Sequence, residues 1–303
     1  MTATGTMADP KGIAEPAVTT RVRRSQLRRR PRQVWLVIPY FVLIAWALTS
    51  LYPYIWMLGS GLKTQEDFFG AGVSPLPVGS WQWSNFAQVW EDGFARYFLN
   101  TVLVALGTIA IVATVTSMLA YALARLRFPG RGAILGLLGL LLFLPPTYNY
   151  IPIVSLVSYL GLANNLVGLI LVLAAYSIPL STLLYFASFQ GLPKGLEDAA
   201  AVDGLSPIGT YLRIAMPLSG PITVTVCLLT VVSTWNNVVI PLVLTLGAPD
   251  LRTLAVGLFA YNGAHIAQYT LICAGASMSI LPILGIFLFL QRYFVAGITG
   301  AIK

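Results

Sequence analysis

The sequence has few charged residues. Asp, Glu, Lys and Arg make up 9% of its 303 residues, whereas 57% are hydrophobic and the mean hydropathy is +0.80. A soluble globule of this size would need more charge to cover its surface, so the composition indicates a membrane protein. The sequence also has one histidine, His265 in a predicted outside loop, and two cysteines. This excludes a two-histidine metal site and a histidine-based triad within the bilayer.

Five long runs contain no charged residue: 33–62, 97–124, 132–193, 214–249 and 253–291. A helix needs roughly 20 apolar residues to cross the hydrocarbon core. The third run is long enough for two helices and has a turn-forming patch at Gly161, Asn164 and Asn165. The runs are continuously apolar, which favours helices over the alternating strands of a barrel. The sequence therefore predicts six spans, at about 34–59, 97–124, 133–156, 166–189, 217–245 and 268–290.

The distribution of Lys and Arg predicts the orientation of these spans. With the N-terminus inside, 15 of the 18 basic residues face the cytoplasm, and Lys63, Arg96 and Arg252 lie outside. Basic residues are enriched in cytoplasmic loops, so both termini are predicted to be cytoplasmic. The net charge of +8 then fits a neighbourhood of anionic lipid and gives no reason to invoke nucleic acid.

Residues 1–33 are rich in arginine and have no hydrophobic periodicity. They predict a disordered basic tail, followed by a transmembrane domain over residues 34–303. The apolar stretch that follows the tail is longer than the core of a signal peptide and ends without a cleavage pattern, which favours an uncleaved first span.

The segment from residue 191 to residue 217, between predicted spans four and five, contains strong helix signals. Pro193 followed by acidic residues predicts the start of a short helix. Gly204 predicts its end, and Ser206 with Pro207 predicts the start of a second helix that Pro217 closes. We expect a helix-turn-helix outside the bilayer. Its first helix is expected to expose Ala199, Ala200 and Ala201 to close approach by another surface.

No charged residue lies inside a predicted span. Ion-coupled carriers normally keep ionisable groups at the midplane, so this argues against a secondary transporter, although sodium bound by carbonyl groups remains an alternative. The nearest approach to a phosphate-binding loop is Lys63-Thr64, but Met57 and Leu62 occupy the positions that need glycine. The chain is therefore not expected to bind ATP in that way.

Uncharged polar residues occur beside prolines in two spans. Tyr148 and Asn149 follow a proline pair, and Asn236 and Asn237 precede Pro241. An asparagine in lipid is costly unless it bonds another helix or lines a wet cavity. These four residues are therefore candidates either for helix contacts or for a translocation path. Prolines inside spans also predict kinked or broken helices.

Small residues recur every three or four positions in the second predicted span, which indicates close helix packing or a subunit interface. They are Gly107, Ala110, Ala113, Ser117, Ala120 and Ala124.

The segment over residues 191–217 resembles the EAA loop of permease subunits from ATP-binding-cassette importers. That motif has an acid and two alanines, three residues, glycine, nine residues, isoleucine, one residue, and an apolar residue with proline. The matching residues here are Asp198, Ala199, Ala200, Gly204, Ile214, Met216 and Pro217. Asp198 replaces the usual glutamate and Met216 the usual leucine. We call residues 191–217 the EAA loop.

Further stretches resemble the carbohydrate branch of these importers, the MalG-like permeases. They are residues 52–57 with Lys63-Thr64, residues 120–130, Trp235-Asn236 and residues 291–297. Asn237 stands where many relatives carry an acid. The resemblance implies an all-α membrane protein with the type I importer permease fold of six spans, a core of about residues 95–292 and cytoplasmic EAA coupling helices.

The resemblance also implies a mechanism and partners. Two permeases, of which the second is expected to differ from this chain, would form the pathway in a bacterial or archaeal cell membrane. ATPase subunits beneath would hold ATP and Mg, an external protein would deliver the sugar, and this chain would carry no cofactor. The alternatives are an ion-coupled secondary transporter, import of a polyol phosphate by the same machinery, and a scaffold without transport.

Within the EAA loop the resemblance assigns roles to particular residues. Glu197, Asp198 and Asp203 would be polar contacts to the ATPase, Ala199 and Ala200 its close-packed face, and Gly204 the turn. Ile214 and Pro217 complete the motif.

Overall fold

The computed structural model describes residues 33–70, 72–261 and 267–300. The predicted basic tail, apart from Gln33, and His265 lie outside the described residues. The chain divides into two compact units, residues 1–50 and 51–303, and the packing described below is that of the second unit.

The described residues form helices joined by loops. In chain order the α-helices are α1 (Gln33–Ser60), α2 (Gln65–Gly70), α3 (Ser84–Val89), α4 (Ala95–Arg125), α5 (Arg131–Leu141), α6 (Tyr150–Tyr159), α7 (Leu166–Gly191), α8 (Lys194–Val202), α9 (Pro207–Thr210), α10 (Met216–Leu218), α11 (Gly220–Trp235), α12 (Val239–Leu244), α13 (Leu254–Phe259) and α14 (Tyr269–Gly300). Short π-helical turns cover Trp90–Phe94 and Tyr211–Ala215, and 3-10 turns cover Pro146–Asn149 and Pro249–Leu251.

Four helices are long and apolar enough to cross a membrane, and there are up to six spans if each of two bent helix pairs counts as one. The four cover Val37–Ser60, Ser84–Arg125, Leu166–Gly191 and Tyr269–Phe289. They agree closely with the predicted first, fourth and sixth spans, and the second contains the predicted residues 97–124 but begins earlier, at Ser84. The all-α class expected from the uncharged runs is therefore confirmed for the described residues.

The third and fifth predicted spans are broken helices, which confirms the kinks or breaks predicted from the prolines inside them. In the third, α5 and the Pro146–Tyr159 arm meet at an angle of 100°, because prolines 145 and 146 cannot continue the backbone hydrogen bonds of a helix. In the fifth, the Pro207–Leu218 segment and α11 meet at an angle of 77°, and α11 ends at Trp235 before the chain resumes as α12. A proline alone does not break a span, since α7 continues through Pro179 and α14 through Pro282.

The second span is the centre of the fold, with α4 packed along α7 and α11. A Cβ atom on Gly107 would lie 2.7 Å from Ile170 Cδ1, so the absence of a side chain lets α4 approach α7 closely. Ala120 is fully buried in the core that includes Tyr185 and Phe189. The predicted stripe of small residues therefore packs within the chain at these positions.

The predicted turn between spans three and four is confirmed. Gly161 and Asn164 have φ values of 70° and 52°, and the Asn165 side chain accepts a hydrogen bond from Val167 N at the start of α7. The Asn164 backbone N–H donates to Leu244 O at 2.8 Å, and its side-chain oxygen accepts from Gly247 N at 2.9 Å. These bonds join the turn to the end of α12.

Candidate functional site

The EAA loop folds as two helices joined by a tight turn, as predicted. The first helix, α8, begins directly after Pro193. Gly204 adopts a φ of 78°, which glycine tolerates at little cost. The Ser206 side chain accepts a hydrogen bond from Gly209 N at 3.2 Å and so caps the second helical segment, Pro207–Leu218. That segment passes through Pro217 and ends one residue later than expected.

One side of α8 points away from the rest of the chain. Gly195, Ala199 and Val202, spaced by one and two helical turns, are all exposed, and Val202 is 88% exposed. Asp198 and Asp203 are exposed beside them. We call Gly195, Ala199 and Val202 the outer face of α8. It combines two very small residues with one large apolar side chain.

The opposite side of α8 packs inward, which corrects one expectation. Ala200 was expected to be exposed, but it is 2% exposed. A short helix lying on a folded chain must bury one face, and Ala200 lies on that face with Glu197, three residues earlier. Ala199 and Ala201 are exposed as expected.

Glu197 forms an ion pair within the chain. Its Oε1 lies 2.8 Å from Nε of Arg125, the last residue of α4. Arg125 also donates a hydrogen bond from Nη2 to Leu192 O at 2.7 Å. The Nε and Oε1 atoms are buried and have no hydrogen-bond partner among the described residues, so their contact is a close ion pair without a directed hydrogen bond. Sequence reasoning did not single out Arg125 in this role.

The second helical segment of the loop is also tied to α4. The Tyr211 and Ser117 hydroxyl groups lie 2.8 Å apart and are buried. Ile214 is half-buried and Pro217 exposed. Two large apolar side chains of this segment, Ile208 and Leu212, are exposed, and they add to the apolar surface that the loop presents.

The first pair of candidate path residues lies at the break in the third span. Tyr148 and Asn149 are both exposed. Asn149 lines a cavity of about 500 Å³ between the broken span and α7, whose other lining residues are mostly apolar. On the α7 side the cavity includes Tyr176, which donates a hydrogen bond from its hydroxyl to Pro146 O at 3.3 Å.

The second pair lies at the break in the fifth span. Asn236 donates from its side-chain amide to Val232 O, within its own helix, at 3.0 Å. Asn237 accepts from Ile240 N at 3.2 Å and so supports the start of α12. Helices α6 and α12 pack together, which brings the two breaks near each other. No hydrogen bond joins the two pairs among the described residues.

A buried lysine was not anticipated from the sequence. Lys63 was counted as an outside residue, but it is fully buried. Its Nζ donates to Ser74 O at 2.6 Å and lies 5.7 Å from the centre of the Trp56 ring. Its backbone oxygen accepts from the Asn85 side chain at 2.9 Å. A lysine at the end of a long apolar run could have signalled this contact, because an amphipathic side chain there can anchor the following loop.

The loop beyond α13 is tied to the start of the second span. Tyr261 donates a hydrogen bond to Asp92 Oδ2 at 2.9 Å. Burial raises the pKa of Tyr261, and the hydrogen bond to Asp92 raises it further, so the phenol stays neutral near neutral pH. Over residues 33–70, 72–261 and 267–300, no group of three His, Cys, Asp or Glu side chains is placed to hold a metal ion.

Comparison with known proteins places the chain in a family. Residues 113–300 match the family described as binding-protein-dependent transport system inner membrane component. The probable ABC transporter permease protein YurM of Bacillus subtilis is 35% identical, over 92% of this chain and 93% of its own length. The trehalose/maltose transport system permease protein MalG of Thermococcus litoralis is 31% identical, over 86% and 94%. The melibiose/raffinose/stachyose import permease protein MelC of Bacillus subtilis is 29% identical, over 85% and 93%.

A solved structure has the same fold. It is the crystal structure of a bacterial ABC transporter involved in the import of the acidic polysaccharide alginate, and one of its chains matches with a TM-score of 0.75 at 21% identity. The match covers 88% of this chain and 98% of that one. Together with the EAA loop and the helical architecture, these similarities identify the chain as a transport subunit of the membrane and not an enzyme. It belongs to the family of binding-protein-dependent transport system inner membrane components, the permease subunits of ABC importers.

Proposed function

We propose that the chain forms half of the translocation pathway of a sugar importer driven by ATP, and that its EAA loop docks on a separate ATPase subunit. The sugar class is supported by relatives such as the trehalose/maltose permease of Thermococcus litoralis and the melibiose/raffinose/stachyose permease of Bacillus subtilis. In this proposal ATP and Mg are bound by the ATPase, and an external binding protein delivers the sugar.

The observation that carries the proposal is the outer face of α8. Gly195 and Ala199 leave the helix backbone open to close approach, and Val202 projects an apolar side chain away from the fold. The EAA loop also exposes the large apolar side chains of Ile208 and Leu212, and an apolar patch rimmed by polar residues is typical of a surface that binds a partner. We assign Ala199 and Val202 to the contact with the ATPase, with Asp198 and Asp203 as polar contacts at its edge.

The residues on the inner side of α8 have a different part in this proposal. Glu197 and Ala200 face the chain itself, so in this proposal they join α8 to the rest of the chain and make no contact with the ATPase. Gly204 sets the turn between the two helices, and Ile214 and Pro217 belong to the second helix, which α11 follows after a bend of 77°. Movement of the ATPase pair would thereby reach the membrane-spanning helices.

The translocation path in this proposal passes the two broken spans. Helix breaks leave backbone carbonyl groups without helical partners, and such groups are tolerated at membrane depth where they are buried in protein or line a cavity. Tyr148 and Asn149 lie at one break, and Asn236 and Asn237 at the other. A second permease, expected to differ from this chain, would complete the path. The excess of basic residues in alternate loops supports a cytoplasmic position for both termini and the EAA loop.

Copurification tests this proposal. The tagged chain is extracted from its native host in a gentle detergent, and the proteins that accompany it are identified by mass spectrometry. We expect an ATPase subunit, a second permease and an external binding protein. Val202→Asp should lose the ATPase, because the charge disrupts an apolar contact. Val73→Asp is the matched control, since Val73 is 81% exposed in a segment that is predicted to lie on the other side of the membrane from the EAA loop. Recovery of the wild-type chain without an ATPase, also after crosslinking through Ala199→Cys, would overturn the proposal.

A further inference from the structure

One face of α4 carries three residues that hold the EAA loop. Ser117, Tyr121 and Arg125 are spaced four residues apart, which places them on one side of the helix. All three side chains are buried or nearly so. Ser117 and Tyr121 contact the second helix of the loop, and Arg125 contacts the first helix and the residue before it, so α4 supports both helices.

The contact at Arg125 holds the first helix of the loop. Its guanidinium group binds the Leu192 carbonyl oxygen before α8 and pairs with the Glu197 carboxylate within α8. The side chains of Arg125 and Glu197 are 8% and 25% exposed. Water and salt screen the attraction between buried charges less than that between exposed ones, and removal of one partner leaves the other as an uncompensated buried charge. The pair lies on the side of α8 opposite to the outer face.

The contacts at Ser117 and Tyr121 hold the second helix. The Ser117 hydroxyl contacts the Tyr211 hydroxyl. The ring of Tyr121 lies 5.3 Å from the ring of Tyr211 and 5.6 Å from that of Phe189, near the end of α7, measured between ring centres. Both helices of the loop therefore rest on α4, although the chain itself connects them to α7 and α11.

We propose that Arg125 is a positioning residue that couples α8 to α4, so that force applied to the outer face of α8 is delivered into the second span through the Arg125–Glu197 ion pair. The inference rests on the proposed docking of α8 on an ATPase. It adds that the covalent connections of the EAA loop to α7 and α11 are insufficient to deliver this force to α4. When Arg125 and Glu197 no longer attract each other, the ATPase stays bound and hydrolyses ATP, but α4 no longer follows α8.

The experiment uses the purified complex in lipid vesicles with ATP and Mg as the probe. Cys227 and Cys273 are replaced by serine, and Leu99→Cys is introduced as a reporter. Leu99 is exposed near the N-terminal end of α4, whereas Arg125 is the last residue of that helix. The rate at which a membrane-impermeant maleimide labels this cysteine is measured without nucleotide and after trapping with ATP, Mg and vanadate. Basal ATP hydrolysis and the amount of bound ATPase are measured in the same samples.

The variants compare a broken pair with a restored one. Glu197→Gln removes one charge with little change of shape, Arg125→Gln removes the other charge and shortens the side chain, and Arg125→Glu with Glu197→Arg exchanges the two. In the reporter complex that keeps Arg125 and Glu197, we expect trapping with ATP, Mg and vanadate to change the labelling rate by about fivefold or more, the lower range of allosteric coupling. The two glutamine variants should keep the bound ATPase and basal hydrolysis but lose this change. The double glutamine variant should be no worse than either single variant, and the exchanged pair should recover much of the response.

Two results would overturn the inference. One is a full nucleotide-dependent change of labelling in both glutamine variants, because the ion pair would then be unnecessary. The other is additive loss in the double variant with no recovery in the exchanged pair, because the two residues would then act separately. A wild-type chain that retains no ATPase would instead refute the proposed function, so the two failures are distinguishable. Membrane yield and monodispersity identify any variant that fails to fold. If Arg125→Gln fails to fold, the labelling rate is measured in Arg125→Lys, which retains the charge.

Discussion

The hydroxyl oxygen of Tyr211 lies 2.8 Å from that of Ser117, and both residues are buried. The contact joins the second helix of the EAA loop to the middle of α4. The Ser117 hydroxyl also lies near the carbonyl oxygens of Ala113 and Thr114, to which it donates. Since serine has one hydroxyl proton, Tyr211 is the donor between the two side chains.

This assignment predicts an asymmetry between two conservative variants. Tyr211→Phe removes a donor and leaves Ser117 bonded to its own helix, so it should lower the stability by about 1 kcal/mol. Ser117→Ala leaves the buried Tyr211 hydroxyl without its acceptor and should cost more, up to about 3 kcal/mol. Thermal unfolding of the purified protein in detergent measures the difference. Equal losses, or a larger loss for Tyr211→Phe, would mean that Tyr211 is not the donor.

Gly204 permits a second prediction, on the turn of the EAA loop. Its φ of 78° is unfavourable for any residue with a Cβ atom, although nothing lies within 4 Å of the place that a Cβ would take. Gly204→Ala should therefore cost about 1–2 kcal/mol through backbone strain alone and reduce the ATPase that copurifies. Gly132→Ala is the control, because Gly132 lies in α5 with equally open surroundings and without a positive φ.

The control should keep its ATPase and should be as stable as the wild type or slightly more so, because alanine is favoured over glycine in helices. Gly204→Arg, which adds a long charged side chain at the same strained position, should lose the ATPase while the chain remains in the membrane. Retention of a normal amount of ATPase by Gly204→Arg would contradict the role of this turn in docking.

Gly168 permits a third prediction, on the packing of the broken third span. A Cβ atom at Gly168 would lie 2.2 Å from the backbone oxygen of Leu162. A backbone oxygen in a tight turn cannot move aside cheaply, so Gly168→Ala should separate α7 from the preceding turn and cost about 1–3 kcal/mol.

Gly136 is the matched control for this prediction. It also lies in a helix, but nothing occupies the space around its missing side chain. Gly136→Ala should leave the melting temperature in detergent unchanged or slightly raised, whereas Gly168→Ala should lower it. A similar melting temperature for the two variants would show that the close approach at Gly168 does not limit packing.

Much of the fold follows from the sequence because its signals are local. Helix α7 follows from an uncharged apolar run that is long enough for it, and its first residue comes directly after the Asn165 cap. The EAA loop was equally accessible, since Pro193, Gly204 and Ser206 act on their immediate neighbours. The break at prolines 145 and 146 was expected as a kink, but the 100° angle between its arms depends on packing against α7.

The residues that the sequence did not reveal act over long range. Arg125 and Glu197 are 72 positions apart, and no local pattern indicates that they pair. Ala200 has the same side chain as Ala199, and only the direction in which α8 lies on the chain decides which one is buried. The burial of Lys63 was not predicted because its partner, the carbonyl oxygen of Ser74, belongs to a loop that carries no regular pattern.

The most direct test of docking through the outer face of α8 is photo-crosslinking at Val202. A photoreactive phenylalanine derivative replaces Val202 in the full chain in its native membrane, and the crosslinked protein is identified by mass spectrometry. The same residue at Val73 is the control, since Val73 is also highly exposed but lies in the segment after α2. We expect Val202 to crosslink to an ATPase subunit and Val73 to crosslink to none. Crosslinks from position 202 to lipid alone would contradict the account. So would equal crosslinking to the ATPase from positions 202 and 73.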